Sequence, residues 1–410
     1  MQQKLLIIGH VWPEPKSSAA GSRMMQLISS FQKQNFDIIF ASACAKSTNA
    51  FDLSQLGIVQ ATIEMNASSF DHFVKGYNPD IVLFDRFMTE EQFGWRVSEQ
   101  CPQAIKLLDT EDLHGLRKGR QSALKEGNLF SHSHLFNDVS KREIASIYRC
   151  DLTLMISEVE IDILNEVFKV PDYLLFYLPF QCDNISEAHK AQLPEFDERR
   201  HFITIGNFLH APNYNGILFL KETLWPQIRQ LLPQAQLHIY GAYVSQKALH
   251  LHNEKEGFHI KGFAQEVEEV MSSARVCLAP LRFGAGLKGK IIDAMLNGTP
   301  CVMTSIAAEG IFGTLEPNGF IDDDSSEFSK KAVQLYQNKS IWEEKQQHGF
   351  EVINRRFEKG QFENLLTERI QQLRSELEQQ RQENFTGQML QHHMLQSTKY
   401  MSKWIEEKNK

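Results

Sequence analysis

"RFGAGLKGKIIDAMLNGTP", residues 282–300, is the stretch on which the reading of this chain turns. Gly284, Gly286 and Gly289 have the spacing G-x-G-x-x-G, between an apolar run VCLAPL that reads as a strand and KIIDAML that reads as a helix. Glycines let a ligand approach the backbone closely, and a helix N-terminus offers free N–H groups and a positive dipole end to an anion. Lys288 and Lys290 add full charges within the turn and the first helical residues. Asp293, about one turn into the helix, is placed to accept from a ribose hydroxyl; the plainer alternative is a first-turn acid on a solvated helix start. In the simplest dinucleotide site such a loop follows the first strand of its domain. Here the chain's first strand, LLIIGHVWPEP, carries no G-x-G, and the loop follows roughly the fourth strand of a second unit. That position argues against a simple dehydrogenase. Lysine beside a helix N-terminus suits instead a diphosphate that departs with negative charge, because the stabilisation grows as the bond breaks.

Outward from this loop, short apolar runs alternate with longer amphipathic stretches. LLIIGH, DIIFAS, PDIVLFD, AIKLLDT, LTLMIS and YLLFYLP read as buried strands, with helices at SRMMQLISSFQKQ, EEQFGWRVSEQC and EVEIDILNEVF. The alternation restarts with HFITIGN, AQLHIYGA, FHIKGF, VCLAPL and PCVMTS, separated by helices at NGILFLKETLWPQIRQLL, QEVEEVMSSA and KIIDAML. Near-continuous apolar strands between helices imply parallel sheets covered on both faces. The polar run 182–201 is the linker, so the reading is α/β, two tandem doubly wound Rossmann-like domains over 1–185 and 186–365. Such sheets bind ligands beyond their carboxyl ends, and two facing each other make a cleft. Residues 366–410 are Gln-rich and read as a helical tail. Phe385, Met389, Met394, Met401 and Trp404 form a docking stripe, for the domains themselves, for a second copy or for a membrane surface.

With 410 residues, 42% hydrophobic and 23% charged, the composition is that of a soluble globular protein. A net charge of -8 argues against general nucleic-acid binding. Six dispersed cysteines without a C-x-x-C pair indicate neither a disulfide framework nor a zinc knuckle, which favours a cytoplasmic location. LLIIG is too short for a signal peptide, and no run approaches the ~20 apolar residues of a membrane span. Contact with the inner membrane face would be peripheral.

The run "APLRFGAGLKGKIIDAMLNGTPCVMTSIAAEGI", 279–311, closely resembles the donor-binding segment of retaining glycosyltransferases of the two-Rossmann (GT-B) architecture, family 4 type. "IGNFLHAPNYNGILFL" (205–220), with its Pro212–Asn213 pair, "LHIYGA" (237–242) and "IKGFAQEVEEVMSSARV" (260–276) resemble the same family's donor domain. "PDIVLFD" and "SEVEIDIL", with its Ser157–Glu160 spacing, resemble its acceptor domain more loosely. The resemblance implies that Lys290 contacts the donor diphosphate as a catalytic cation, with Lys288 beside it. It places Gly286 and Leu287 along the sugar and phosphate, and Asp293 where the family's ribose-binding glutamate stands. It also implies donor contacts from Gly21, Arg23, Gly206, Asn207, Gly262, Phe263 and Arg282. Two departures stand out. Ala285 occupies the position of a second family glutamate, and the loop Gly206-Asn207-Phe208 lacks the basic residues many relatives carry.

"LLDTEDLHGLRKGR", 107–120, puts Asp109, Glu111, Asp112, His114 and Arg117 at a strand's carboxyl end. Asp109 and His114 are candidates to orient an acceptor hydroxyl, and a polar surface loop is the alternative. Arg117, Lys118, Arg120 and Lys125 form a short basic run, either a solvated face or a contact for an anionic head group or phosphorylated acceptor. Asp322, Asp323 and Asp324 precede a helical pattern and read as termination and capping residues rather than a metal site. The expected function is metal-independent sugar transfer from a nucleotide-diphosphate sugar, with retention, to a glycan, lipid-linked or protein acceptor, with no cofactor. Surface polysaccharide or glycan assembly is the expected setting. The competing expectation is a non-catalytic binding or assembly subunit of the same fold.

Overall fold

The computed structural model describes residues 2–409. The first sheet contains β1 (Lys4–Gly9), β2 (Asp37–Ser42), β3 (Val59–Thr62), β4 (Ile81–Asp85), β5 (Ile105–Asp109), β6 (Leu152–Met155) and β7 (Leu175–Tyr177). All are parallel, in the order β3-β2-β1-β4-β5-β6-β7. The second contains β8 (Arg200–Ile205), β9 (Leu237–Tyr240), β10 (Phe258–Gly262), β11 (Ala274–Ala279), β12 (Cys301–Met303) and β13 (Gly319–Ile321). These too are parallel, ordered β10-β9-β8-β11-β12-β13. Consecutive Leu5, Leu6, Ile7 and Ile8 are all fully buried, as a strand covered by helices on both faces requires.

The sheet order explains the unusual place of the glycine loop. Strand order reverses between β8 and β11, and the crevice at such a switch point is where doubly wound sheets bind ligands. The loop follows β11, so it opens onto that crevice although β11 is the fourth strand of its sheet in chain order. The first sheet has its own switch between β1 and β4, bridged where the His10 N–H donates to Asp85 Oδ2 at 2.9 Å.

Several elements depart from the sequence reading. "LHGLRKGR" is largely helical, since His114–Glu126 forms a helix that begins at His114 and carries the whole basic run. "NGILFLKETLWPQIRQLL" is not one regular helix. It runs as Ala211–Phe219, a π-helical turn Leu220–Leu224, and Trp225–Leu231, because Pro226 has no N–H for the α ladder. The short strand β3 and the helices Ser69–Tyr77 and Asp138–Arg149 lie in segments whose apolar period is too brief to stand out.

The chain crosses between the sheets twice, side by side. The Cys182 N–H donates to Phe357 O at 2.7 Å, and the Lys359 N–H to Cys182 O at 2.9 Å. After the second crossing the helix Lys359–Glu383 returns to the first domain. Leu366, Ile370, Leu373 and Leu377 recur at helical intervals and join the core cluster of Leu5, Ile7 and Leu27. The last helix, Phe385–Lys408, packs on the helices Asp138–Arg149 and Phe87–Gln100 and leaves Phe385, Met389, Met401 and Trp404 exposed. Among the described residues no helix is long and apolar enough to cross a membrane.

Leu373 is fully buried in that core, so Leu373→Ala should cost about 3 kcal/mol in urea unfolding, from lost burial plus a cavity. Leu365, exposed on the same helix, should tolerate alanine within about 0.5 kcal/mol. Equal small losses would show that the helix does not belong to the first domain's core.

Candidate functional site

The loop 284–288 is pressed against the first domain at two points. A Cβ on Gly286 would lie 2.8 Å from the Asp112 Cβ, and its φ of 64° is one that glycine adopts without strain. A Cβ on Gly289, the first residue of the helix Gly289–Leu296, would lie 2.7 Å from the Ala19 Cβ. Ala19 opens the helix Ala19–Lys33, so the N-termini of one helix from each domain nearly touch. Gly21 sits in that first turn, where a Cβ would strike the Glu14 backbone at 2.3 Å. No side chain caps the Gly289–Leu296 helix, which leaves its dipole and first N–H groups available to an anion.

Both loop lysines are present and both are short of partners. Lys288 is buried and donates to Gly286 O at 2.6 Å; burial lowers its pKa to about 8, against the pull of Glu309. Lys290 donates to Asn213 Oδ1 at 3.1 Å, and burial lowers it likewise to about 8. Asn213 in turn donates to Asn207 O at 3.2 Å, and its amide lies 2.6 Å from where a Gly206 Cβ would be. The geometry thus brings Lys290, Asn213, Asn207 and Gly206 together at the β8–β11 switch. Asp293 is half-buried; burial and then Glu268 raise its pKa to about 7, with Lys290 opposing. Leu287 packs into the second domain's core beside Ile156. Gly262 and Phe263 lie at the end of β10, three strands from β11, or roughly 14 Å at ordinary strand spacing. Arg282 is exposed, with Nε on Asn215 Oδ1 at 2.9 Å and its guanidinium over the Phe219 ring.

Two sequence candidates are committed elsewhere. Arg23 and Asp109 are 1% and 0% exposed and form a bidentate pair, with Nη2 to Oδ1 at 2.8 Å. Arg23 also donates to Leu178 O at 2.6 Å. Residues so enclosed have no surface for a ligand, so neither a donor contact at Arg23 nor a catalytic role at Asp109 fits this geometry. The pair fastens helix Ala19–Lys33 to β5. His114 does face the cleft. Its Nδ1 is held by Asp112 O at 3.1 Å, and its ring meets Phe87 edge-on.

The fold gathers further groups here: the sequence reading passed over Arg86 and noted Glu160, Arg120, Glu111 and Asp112 without placing them beside the donor loop. Glu160 Oε1 accepts from Gly286 N at 2.7 Å and from Leu113 N at 3.0 Å, so one first-domain carboxyl ties both loops. It is fully buried, Oε2 has no partner, and burial followed by the Asp112 charge raises its pKa to about 8. Arg120 donates to Gly284 O at 2.8 Å and pairs with Glu309 across the same interface. Arg86 and Glu111 both have left-handed backbones, φ 71° and 64°, at the ends of β4 and β5. Strained positions of this kind cluster at sites. Burial, then Asp109, raises Glu111 well above the usual carboxylate range. Asp112 stays below that range because Arg117, in close contact, and His114 outweigh its burial. Spatial proximity ties these residues to the donor loop. Arg86 carried no sequence signal, whereas Glu111 and Asp112 stood out at a strand's carboxyl end, Arg120 in the basic run and Glu160 in the Ser157–Glu160 spacing.

Between the domains lies a cavity of about 320 Å³, walled by His114, Arg117 and Lys118 on one side and His210, Pro212 and Phe283 on the other. Burial holds His210 neutral, its pKa lowered to about 4. The acidic run is engaged in the fold: Asp324 caps the helix Ser325–Gln337, Asp323 accepts from Ser305, and Asp322 pairs with Lys331. Among the described residues no group of three or more His, Cys, Asp or Glu could hold a metal ion.

Residues 199–338 match the family model described as Glycosyl transferases group 1. The protein described as "Uncharacterized 44.6 kDa protein in cps region" of Klebsiella pneumoniae is 23% identical over 245 residues. The match covers 57% of this chain and spans 60% of that relative's length. Sucrose-phosphate synthase of Thermosynechococcus elongatus superposes with a TM-score of 0.67 at 17% identity, over 91% of this chain and 99% of that one. HepE of Anabaena, solved in complex with UDP-glucose, superposes with a TM-score of 0.68 at 14% identity, over 91% and 100%. The chain has the GT-B fold of glycosyltransferases.

Glu160 gives this interface a pH signature. Its folded pKa of about 8 exceeds the ordinary 4.5, so its contribution to stability is complete below about pH 4.5 and lost as pH rises through about 8. Glu160→Gln keeps an acceptor oxygen but cannot ionise. The stability of the variant relative to wild type should therefore climb across pH 5–8, by at most about 1.4 kcal/mol per unit. A constant difference over that window in urea titrations would refute the assignment.

Proposed function

We propose that the protein is a retaining glycosyltransferase that moves a sugar from a nucleotide-diphosphate donor to an acceptor hydroxyl in the interdomain cleft, with neither metal nor cofactor. The observation that carries this reading is the meeting of two helix N-termini beside the underpaired Lys288 and Lys290. A diphosphate seated there gains lysine charge and helix dipoles together, and gains most as the glycosidic bond breaks and the phosphate takes the electrons. Gly262, Phe263, Asn207 and Asp293 are then spaced for the nucleoside part.

Retention belongs to this reading through the resemblance of the 279–311 segment to retaining glycosyltransferases. With Asp109 held by Arg23 and unavailable as a nucleophile, the reading has the departing phosphate oxygen take the acceptor's proton on the same face, with His114 orienting the hydroxyl. The UDP-glucose complex of the structurally similar HepE supports a nucleotide-sugar donor. The cps-region relative supports a role in surface polysaccharide or glycan assembly, and the reading places that role in the cytoplasm, at the inner membrane face where contact is made. The helix Phe385–Lys408 is the surface for peripheral membrane contact or self-association.

One observation favours the runner-up, a non-catalytic assembly subunit. Ala285, where many relatives have an acid, is buried in the first domain's apolar cluster with Leu113 and Leu116. Such a subunit would bind a nucleoside diphosphate yet neither transfer nor hydrolyse the sugar.

Calorimetry with nucleoside diphosphates tests the donor site. Lys290→Ala should weaken the diphosphate about tenfold or more while leaving the parent nucleoside nearly unchanged. Because Lys290 loses its proton near pH 8, diphosphate affinity should be full below about pH 7 and fall above about pH 9. Lys290→Arg should flatten that fall. Equal losses for both ligands, or a flat wild-type profile, would remove the lysine from the phosphate. Sugar transfer should also survive EDTA. Abolition that magnesium or manganese reverses would replace the lysine-based account with a metal-based one.

A further inference from the structure

The cavity between the domains has a wall that donor binding leaves unused. Helix His114–Glu126 presents His114, Lys118, Gln121 and Lys125 along one face, at intervals of three and four residues. His114, Lys118 and Gln121 line the cavity, and no carboxylate does. The two arginines of the run are already engaged. Arg117 is held by Asp112, and Arg120 by Glu309 and Gly284 O. Among the described residues the Lys118 ammonium makes no ion pair or hydrogen bond. One uncommitted cation therefore faces a cavity whose two imidazole-bearing residues, His114 and His210, sit opposite each other.

We propose that the acceptor carries a phosphate group, which seats against Lys118 while the acceptor hydroxyl lies at His114. The proposal rests on the glycosyl-transfer reading above. Lys118 follows His114 by one helical turn, about 6 Å along the axis, which matches the span between a hydroxyl and a phosphate on one sugar. Phosphate suits the site because a lysine ammonium, unlike an arginine fork, binds it as a point charge and needs no second planar partner. Lys125 continues the charge about 10 Å further out, towards Leu129, which is 93% exposed just past the helix end. A phosphate on a free sugar and a phosphate on a lipid both fit this path.

The full chain should be titrated with glucose 1-phosphate and with glucose, the donor site being filled by whichever of UDP or GDP binds. Sedimentation with phosphatidylcholine vesicles, with and without phosphatidic acid, forms the lipid arm. Glucose 1-phosphate should bind and glucose should not, and Lys118→Gln should weaken the phosphate probe about tenfold or more with nucleotide affinity unchanged. Phosphatidic-acid-dependent pelleting that Lys118→Gln abolishes assigns the phosphate to a lipid; binding of the soluble probe alone assigns it to a free sugar phosphate. Wild-type behaviour in Lys118→Gln, no phosphate-dependent binding in either arm, or equal binding of glucuronate overturns the proposal. Intact nucleotide binding in that case leaves the donor site standing. Absence of any nucleotide binding sinks the donor site itself, and the acceptor assignment falls with it.

Discussion

The two domains meet without room for a methyl group. Gly286 against Asp112 and Gly289 against Ala19 are both contacts that any side chain would break. This closeness is what allows two helix dipoles from separate sheets to act on one point. It also requires the donor loop to carry glycine for reasons of the interface as well as of the ligand. Glu160 then holds the arrangement in register, because a single carboxyl oxygen accepts the amides of Gly286 and Leu113.

Burial at that junction controls charge. Lys288 and Lys290 are both pulled down to about 8, whereas Asp293 and Glu160 are pushed up to about 7 and 8. These shifts share one cause. The closed interface excludes water, and each group is poorly compensated by its neighbours. On the proposed reading a diphosphate would supply the counter-charge the lysines lack, so its binding and full protonation of the lysines would reinforce each other. The opposite case is Arg23–Asp109, where two buried charges satisfy each other and so serve the fold rather than the reaction.

How much was legible in the sequence follows from these distances. The strands and the glycine loop were readable because apolar runs, glycine spacing and helix starts are local patterns. Lys288, Lys290 and Asp293 lie inside such a pattern and were found with it. Arg23 and Asp109 were misassigned because 86 residues separate two partners whose neutralisation only the fold reveals. Glu111 and Arg86 owe their interest to left-handed backbones, which residue type does not announce in these two cases. The basic run looked like loop because its helix buries Leu116, Arg120 and Ala123 but few large apolar groups that would mark a period.

The missing acid at position 285 is best understood together with Glu160. Ala285 is packed among Leu113, Leu116 and other apolar side chains of the opposite domain, where a carboxylate would be desolvated without a partner. The neighbouring residue, Gly286, receives instead a carboxyl from that opposite domain through its amide. The acid is thus presented to the same loop from across the interface, so the polar environment of the loop depends on the same contact between the domains that brings the two helix ends together.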